Sequence, residues 1–125
     1  MANRQRFALR SARRHRQAIL TVLITVPNRT VGLQLARSLV QRRLAACVNC
    51  IPDLISVFRW KGRVDRAREV LLICKTTTGR LTALTAAVRR LHPYDLPEIL
   101  ALPTAGGHPA YAQWVRENCT PARPQ

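Results

Sequence analysis

The stretch from Leu44 to Thr76 constrains the fold more than any other part of the sequence. It consists of two extended runs, LAACVNCIPDLISVFRW and RVDRAREVLLICKT, with Lys61 and Gly62 between them. Val, Ile, Phe, Trp and Thr are typical of strands, and a two-residue link that contains glycine is typical of a β-hairpin. Each strand would extend about 45 Å at roughly 3.3 Å per residue. We therefore expect a hairpin too long for its own domain to cover, with its far end covered by something outside the monomer.

Pro52 lies inside the first strand of this hairpin. Because proline cannot donate to a sheet ladder, it predicts an edge position or a bulge. A bulge would also explain why the apolar pattern changes after Pro52. The first half of the second strand is polar and its second half is apolar, so the polar half is expected to project beyond the core. That half contains Asp65, Arg66, Arg68 and Glu69.

The remaining segments alternate between strand and helix patterns. Apolar spacing and capping residues predict a strand at 19–26, a helix from Asn28 to about Arg43, a helix from 81 that stops before Pro93, and a strand near 98–102. A short final helix is expected from Pro109. Its apolar face would contain Tyr111, Trp114 and Val115. The order is β-α-β-β-α-β plus a C-terminal helix. It predicts an α+β, ferredoxin-like fold: an antiparallel four-stranded sheet with two helices on one face.

Length and composition indicate one domain. The chain has 125 residues, of which 47% are hydrophobic, and no apolar run is long enough to span a membrane. We expect a basic, disordered extension at 1–17, a folded domain at 18–118 and a flexible tail at 119–125. The extension is rich in arginine and lacks acids, so an organelle transit peptide is an alternative to a disordered tail.

The formal net charge of +15 suggests nucleic-acid binding, but six of the arginines lie in residues 1–17. Nucleic acid is therefore not expected as the main partner. The four cysteines are expected to be reduced thiols in a cytosolic protein. Cys47 and Cys50 have CxxC spacing, but residues three apart on a strand point to opposite faces. They are expected to be structural, with a zinc or redox role only if a bulge separates them.

Several blocks of the sequence, in order, resemble the CutA family, which is named for divalent-cation tolerance. These blocks are LAACVN, SVFRWKGRV, LLICKT, HPYDLPEILALP and YAQWV, within about residues 20–115. The resemblance implies a ferredoxin-like protomer in a tight homotrimer, in which the long hairpins pack on neighbouring subunits and extend their sheets. It also implies an association with copper and other divalent ions, and in animal members with anchoring of a membrane-bound esterase.

The resemblance further implies a metal site at His92 and Glu98. The proposed copper ligands of bacterial members are a cysteine late in the first strand and a His-His pair before Pro-Tyr. Here Ile24 and Leu91 stand at two of those positions. Because soft ligands select copper, the remaining imidazole and carboxylate would bind copper or zinc only weakly. In the alternative interpretation, His92 and Tyr94 have a structural role and hydrogen-bond across a subunit boundary.

Trp60, Lys75 and Tyr94 are candidates for lining a pocket near that site, where the Lys75 ammonium would favour a small anionic ligand. The sequence contains no nucleophile with an evident base partner and no glycine-rich phosphate loop. We therefore expect a trimeric, non-catalytic, cytoplasmic protein of divalent metal tolerance that binds a metal or small ligand at clefts between subunits. One alternative is a scaffold that anchors another protein. Another is an RNA binder, although the strands offer only Phe58 and Trp60 for base stacking.

Overall fold

The computed structural model describes residues 2–121. The helices are α1 (Ala2–Arg16), α2 (Arg29–Gln41), α3 (Leu81–Leu91) and α4 (Pro109–Asn118), and the strands are β1 (Ile19–Val26), β2 (Cys47–Trp60), β3 (Arg63–Thr77) and β4 (Leu100–Pro103). A single 3₁₀ turn at Thr78–Arg80 joins β3 to α3. The predicted order of strands and helices is thus confirmed from β1 onward.

The four strands form one antiparallel sheet in the order β2-β3-β1-β4. This is the predicted ferredoxin-like arrangement, with β1 and β3 at the centre. Burial alternates strictly along β1, because one face of the sheet packs on α2 and α3. The core between sheet and helices contains the fully buried side chains Val22, Ile24, Leu39, Leu72, Leu84 and Val88.

The hairpin of β2 and β3 turns at Lys61 and Gly62, both with positive φ. The predicted bulge is confirmed: pairing shifts between Ile51 and Leu54, so β2 carries one extra residue there. Because side chains alternate between the faces of a strand, the extra residue exchanges the faces to which even- and odd-numbered residues of β2 point. Before the bulge Cys50 pairs with Leu72 on the helix face; after it Leu54 pairs with Glu69 on the opposite face.

Beyond the bulge the hairpin is a ribbon of only two strands. We call residues 54–60 and 63–69 the ribbon. The pairing of β1 with β3 ends at Val26 and Val70, so no third strand in residues 2–121 supports the ribbon. Several of its apolar side chains are exposed: Ile55 is 61% exposed, Val57 70% and Val64 66%. A two-stranded hairpin is at best marginally stable alone in water, so this surface favours a covering partner.

The N-terminal extension differs from its predicted disorder, because Ala2–Arg16 form helix α1. This segment contains no glycine or proline and is rich in Arg and Ala, which favour helices. Four basic residues occupy its last turn, where they complement the negative end of the helix dipole. All of α1 is exposed, so it adds nothing to the core.

The C-terminal end also differs in part from prediction. Strand β4 begins two residues later than expected, since it pairs only with residues 20–23 of β1. On α4, Val115 is buried as expected, but Tyr111 and Trp114 remain nearly half exposed. The predicted flexible tail includes Cys119, but this residue is buried against Val115. Residues 122–125 of that predicted tail lie outside the described residues.

The register confirms that Cys47 and Cys50 point to opposite faces of β2. Cys47 pairs with Lys75, whereas Cys50 pairs with Leu72. The bulge follows both residues and does not bring their thiols together. All four cysteines are free thiols.

Candidate functional site

The loop from His92 to Ile99 leads from the end of α3 to the edge strand β4. His92 ends the helix with an extended backbone, and Pro93 cannot continue it. The imidazole is 7% exposed. Its Nε2 lies 2.7 Å from the carbonyl oxygen of Thr25, and its Nδ1 lies 3.1 Å from the backbone nitrogen of Tyr94.

These two contacts fix the protonation of the His92 ring. A carbonyl oxygen can only accept, so Nε2 carries the proton; a backbone N–H can only donate, so Nδ1 supplies its lone pair. The ring is therefore a neutral imidazole that ties the end of β1 to the loop after α3. We call this arrangement the His92 clamp. In this arrangement neither ring nitrogen has a lone pair left for a metal.

Tyr94 joins the same loop to the base of the ribbon. Its hydroxyl donates a 2.9 Å hydrogen bond to Oε2 of Glu69, and its ring lies 4.7 Å from the His92 ring, centroid to centroid. Burial, the hydrogen bond to Glu69 and the charge of that carboxylate raise the pKa of Tyr94 to about 12. The hydroxyl is therefore a stable donor throughout the physiological range.

Glu69 was expected to project beyond the core, and this expectation is wrong, because only 7% of the residue is exposed. Alternation along β3 places it on the face opposite Val70 and the helices, beside the loop that contains Tyr94. Its charge is tolerated there because the Tyr94 hydroxyl donates to it. The other residues of the predicted polar half, Asp65, Arg66 and Arg68, are exposed as expected.

The predicted metal pair, His92 and Glu98, is not joined in the described chain. Glu98 is exposed, and no hydrogen bond between described residues links it to His92. Across residues 2–121, no three His, Cys, Asp or Glu side chains are grouped so that they could hold a metal ion. Ile24 is buried in the core, and Leu91 is exposed at the end of α3. Within residues 2–121 of one chain, His92 and Glu98 are therefore not part of a group of three such ligands, and the metal site stays a prediction.

The predicted pocket residues do not meet within one chain. Lys75 donates a 2.6 Å hydrogen bond from Nζ to Oδ1 of Asn49, near the start of β2 and far from the hairpin turn. Trp60 pairs with Arg63 at the tip of the ribbon. The register of β3 separates the two by about 40 Å at roughly 3.3 Å per residue. A pocket that contains both would need the ribbon of a neighbouring copy, and it stays a prediction.

Two groups of this site escaped sequence reasoning. The Thr25 carbonyl acts through the backbone, so no side-chain pattern could reveal it. Glu69 offered one signal, since it is the acidic residue directly before the buried run that starts at Val70. No helix in the described range 2–121 has both the length and the apolar character that crossing a bilayer requires.

The geometry agrees with what the comparisons with known proteins show. The family described as "CutA1 divalent ion tolerance protein" matches residues 20–118. The divalent-cation tolerance protein CutA of Thermus thermophilus is 52% identical over 97 residues, which cover 78% of this chain and 94% of that protein. Its structure superposes with a TM-score of 0.80 at 49% identity, covering 82% of this chain and 99% of that one.

Eukaryotic relatives match a similar share of the chain. The structure of CutA1 from Oryza sativa has a TM-score of 0.80 at 43% identity and covers 82% of this chain and 94% of that one. A CutA protein of Arabidopsis thaliana, named as chloroplastic, is 46% identical over 99 residues. These cover 79% of this chain but 54% of that protein, so the likeness spans about half of the plant relative. Helix α1 lies outside residues 20–118, which the family matches.

Proposed function

Because the chain belongs to the CutA1 divalent ion tolerance family, we propose that it acts in the tolerance of, or response to, divalent metal ions. In this proposal it works as a homotrimer that binds a metal ion or small ligand in clefts between its subunits, without a catalytic step. The observation that carries the proposal is the exposed ribbon, which reaches past its own sheet and has apolar side chains that no other described residue covers.

The ribbon supports assembly on energetic grounds. Full burial of a Val or Ile side chain contributes about 1.5–3 kcal/mol. Ile55, Val57 and Val64 each expose well over half of their surface, so a neighbour that covers them would add several kcal/mol per subunit. The unpaired edges of β2 and β4 could also be satisfied by a strand from another copy. A second copy of the same chain is the partner of matching shape and chemistry.

The proposed cleft lies where the ribbon leaves the sheet. The His92 clamp and the Tyr94–Glu69 hydrogen bond hold the loop there, and Glu98 is exposed a few residues further on. In an assembly Glu98 would supply one hard oxygen ligand, and residues of a neighbouring copy would complete the set. His92 would coordinate the metal only if its Nδ1 gave up the hydrogen bond from the backbone N–H of Tyr94. With no soft ligand free at this position, weak binding of zinc or copper is expected.

Metal titration tests the proposal. We expect calorimetry with zinc or copper to give a saturable isotherm, and Glu98→Gln to weaken it by about tenfold, as expected when one charged ligand is lost. Glu117→Gln is the control, because Glu117 is exposed on α4 and its substitution removes the same charge. Equal isotherms for wild type and Glu98→Gln would remove Glu98 from the site. An unchanged titration of His92→Ala would do the same for His92.

The alternatives have less support in the structure. Base-stacking modules use aromatics on the central strands, but Phe58 and Trp60 both lie on the ribbon, away from β1. A scaffold that recruits another protein is favoured by one observation, the half-exposed pair Tyr111 and Trp114, whose rings lie 5.6 Å apart on α4. A cytoplasmic location remains part of this proposal.

A further inference from the structure

We infer that a basic cleft between α1 and α4 binds a small oligophosphate anion. The cleft has a volume of about 560 Å³ and lies where the end of α1 meets the 3₁₀ turn and the end of α4. Among residues 2–121, four arginines from three different elements line it, and no Asp or Glu does. We call these residues, Arg13, Arg16, Arg80 and Arg116, the arginine cluster.

Backbone carbonyls hold part of the arginine cluster in place. Arg116 donates from Nε to the carbonyl oxygen of Gln17 at 2.9 Å, and Arg80 donates from Nε to the carbonyl oxygen of Arg43 at 3.2 Å. Each contact uses one of the five N–H groups of a guanidinium. The terminal nitrogens of both side chains therefore remain as donors for an anion. Preorganised guanidiniums lose little further freedom on binding.

Arg13 and Arg16 are three residues apart on α1, so they share one face of the helix. The helix end that carries them is fixed to the domain. The Thr78 hydroxyl donates to the carbonyl oxygen of His15, and the backbone of Arg16 passes so close to Gly79 that a Cβ there would lie 3.0 Å from its oxygen. The position of these two side chains over the cleft is therefore set by packing.

Electrostatics favours an anion with several charged oxygens. Four guanidiniums around one cavity repel one another unless a counter-charge is present, and no carboxylate of the lining supplies it. The cleft also borders the start of α3, which has no acidic residue in its first turn and no side-chain cap at Arg80. Arginine pairs with phosphate oxygens through two parallel hydrogen bonds. A di- or triphosphate can engage several guanidiniums at once, which a single carboxylate cannot.

This site is separate from the proposed metal cleft. Two of its arginines belong to α1, which precedes the family match at residues 20–118. The site is therefore a feature of this chain and does not depend on the divalent-ion function. Its success or failure leaves that proposal untouched.

Calorimetric titration of the full chain with inorganic pyrophosphate in 150 mM salt tests the inference. We expect a saturable isotherm with one site per chain. The variant Arg13→Gln/Arg16→Gln should bind at least about tenfold more weakly, since each lost charge-assisted contact weakens binding by roughly that factor. The control variant Arg4→Gln/Arg14→Gln loses the same charge from the same helix, outside the lining of the cleft. It should bind within about twofold of wild type.

Gly79→Ala tests the geometry without changing any charge. Its added Cβ would press on the backbone and side chain of Arg16 and move the end of α1. We expect weaker pyrophosphate binding with an unchanged circular dichroism spectrum of the domain. Absence of saturable binding, or equal losses in the two arginine variants, would overturn the inference. The inference would also be overturned if a single-stranded RNA displaced pyrophosphate and its binding fell equally in the two arginine variants. That result would show that α1 attracts polyanions through its overall charge.

Discussion

The His92 clamp makes a sharp prediction about stability, which replacement of His92 by Ala and by Phe would test. Truncation to Ala removes both hydrogen bonds of the ring and its contact with Tyr94. Each group left without its partner costs about 1–3 kcal/mol when buried, and an aromatic pair contributes about 0.5–1.5 kcal/mol. Because both backbone partners are partly buried, we take the low end of that range. His92→Ala should then lower the free energy of unfolding by about 3 kcal/mol.

His92→Phe separates the hydrogen bonds from the packing of the ring. It keeps an aromatic ring next to Tyr94 and removes both polar contacts, so we expect a loss of about 2 kcal/mol. His15→Ala is the control, because His15 is exposed on α1; its effect should stay within about 0.5 kcal/mol.

Urea unfolding followed by circular dichroism, at one fixed protein concentration, measures these differences. With an m-value of about 1–3 kcal/mol per molar urea, a loss of 3 kcal/mol lowers the midpoint by about 1–3 M. A His92→Ala midpoint equal to that of His15→Ala would refute the clamp. A normal midpoint for His92→Phe alone would show that packing, and not the two hydrogen bonds, stabilises this loop.

Two further predictions concern Tyr94 and the ribbon. In the variant Tyr111→Phe, Tyr94 is the remaining tyrosine, and its absorbance titration should give a pKa of about 12. Adding Glu69→Gln should shift this pKa back towards 10. A pKa of 10 for Tyr94 with Glu69 intact would contradict the hydrogen bond between them. Because the folded-state pKa is raised, this contribution to stability is complete below pH 10 and is lost as pH rises through 12. Ile55→Asp/Val57→Asp should dissociate the assembly in size-exclusion chromatography, since each side chain would otherwise contribute about 1–2 kcal/mol by burial. Leu9→Asp on α1 should leave the elution volume unchanged.

The parts of the fold that were predictable have strong periodic or turn signals. The two amphipathic helices of the domain, the Lys61-Gly62 turn and the bulge at Pro52 all follow from local stereochemistry, and all are present. The shift of β4 escaped prediction because its extent is set by pairing with β1, and no local pattern records that pairing. Helix α1 was not predicted because a strongly basic segment without a buried face resembles a disordered tail, although none of its residues is a helix breaker.

The candidate site was less accessible to sequence reasoning. Its sequence marks His92 and Glu98 as polar residues in a proline-rich loop, but hydrogen bonding decides what each can do. The Thr25 carbonyl and the Tyr94 N–H occupy the imidazole of His92, and neither is visible as a side chain. Glu69 became part of the site only because the fold brings the loop after α3 beside β3, where the pairing of β1 ends at Val70. Such contacts depend on tertiary structure.

The account rests on a ribbon that needs a neighbour, so the mass of the folded protein in solution is the most direct test. Native mass spectrometry, together with light scattering at micromolar concentration, should give three times the 14.1 kDa mass of one chain. It should do so without added metal or nucleotide, because apolar burial drives the assembly. A folded particle of 14.1 kDa with native circular dichroism would contradict the homotrimer and every cleft proposed between its subunits.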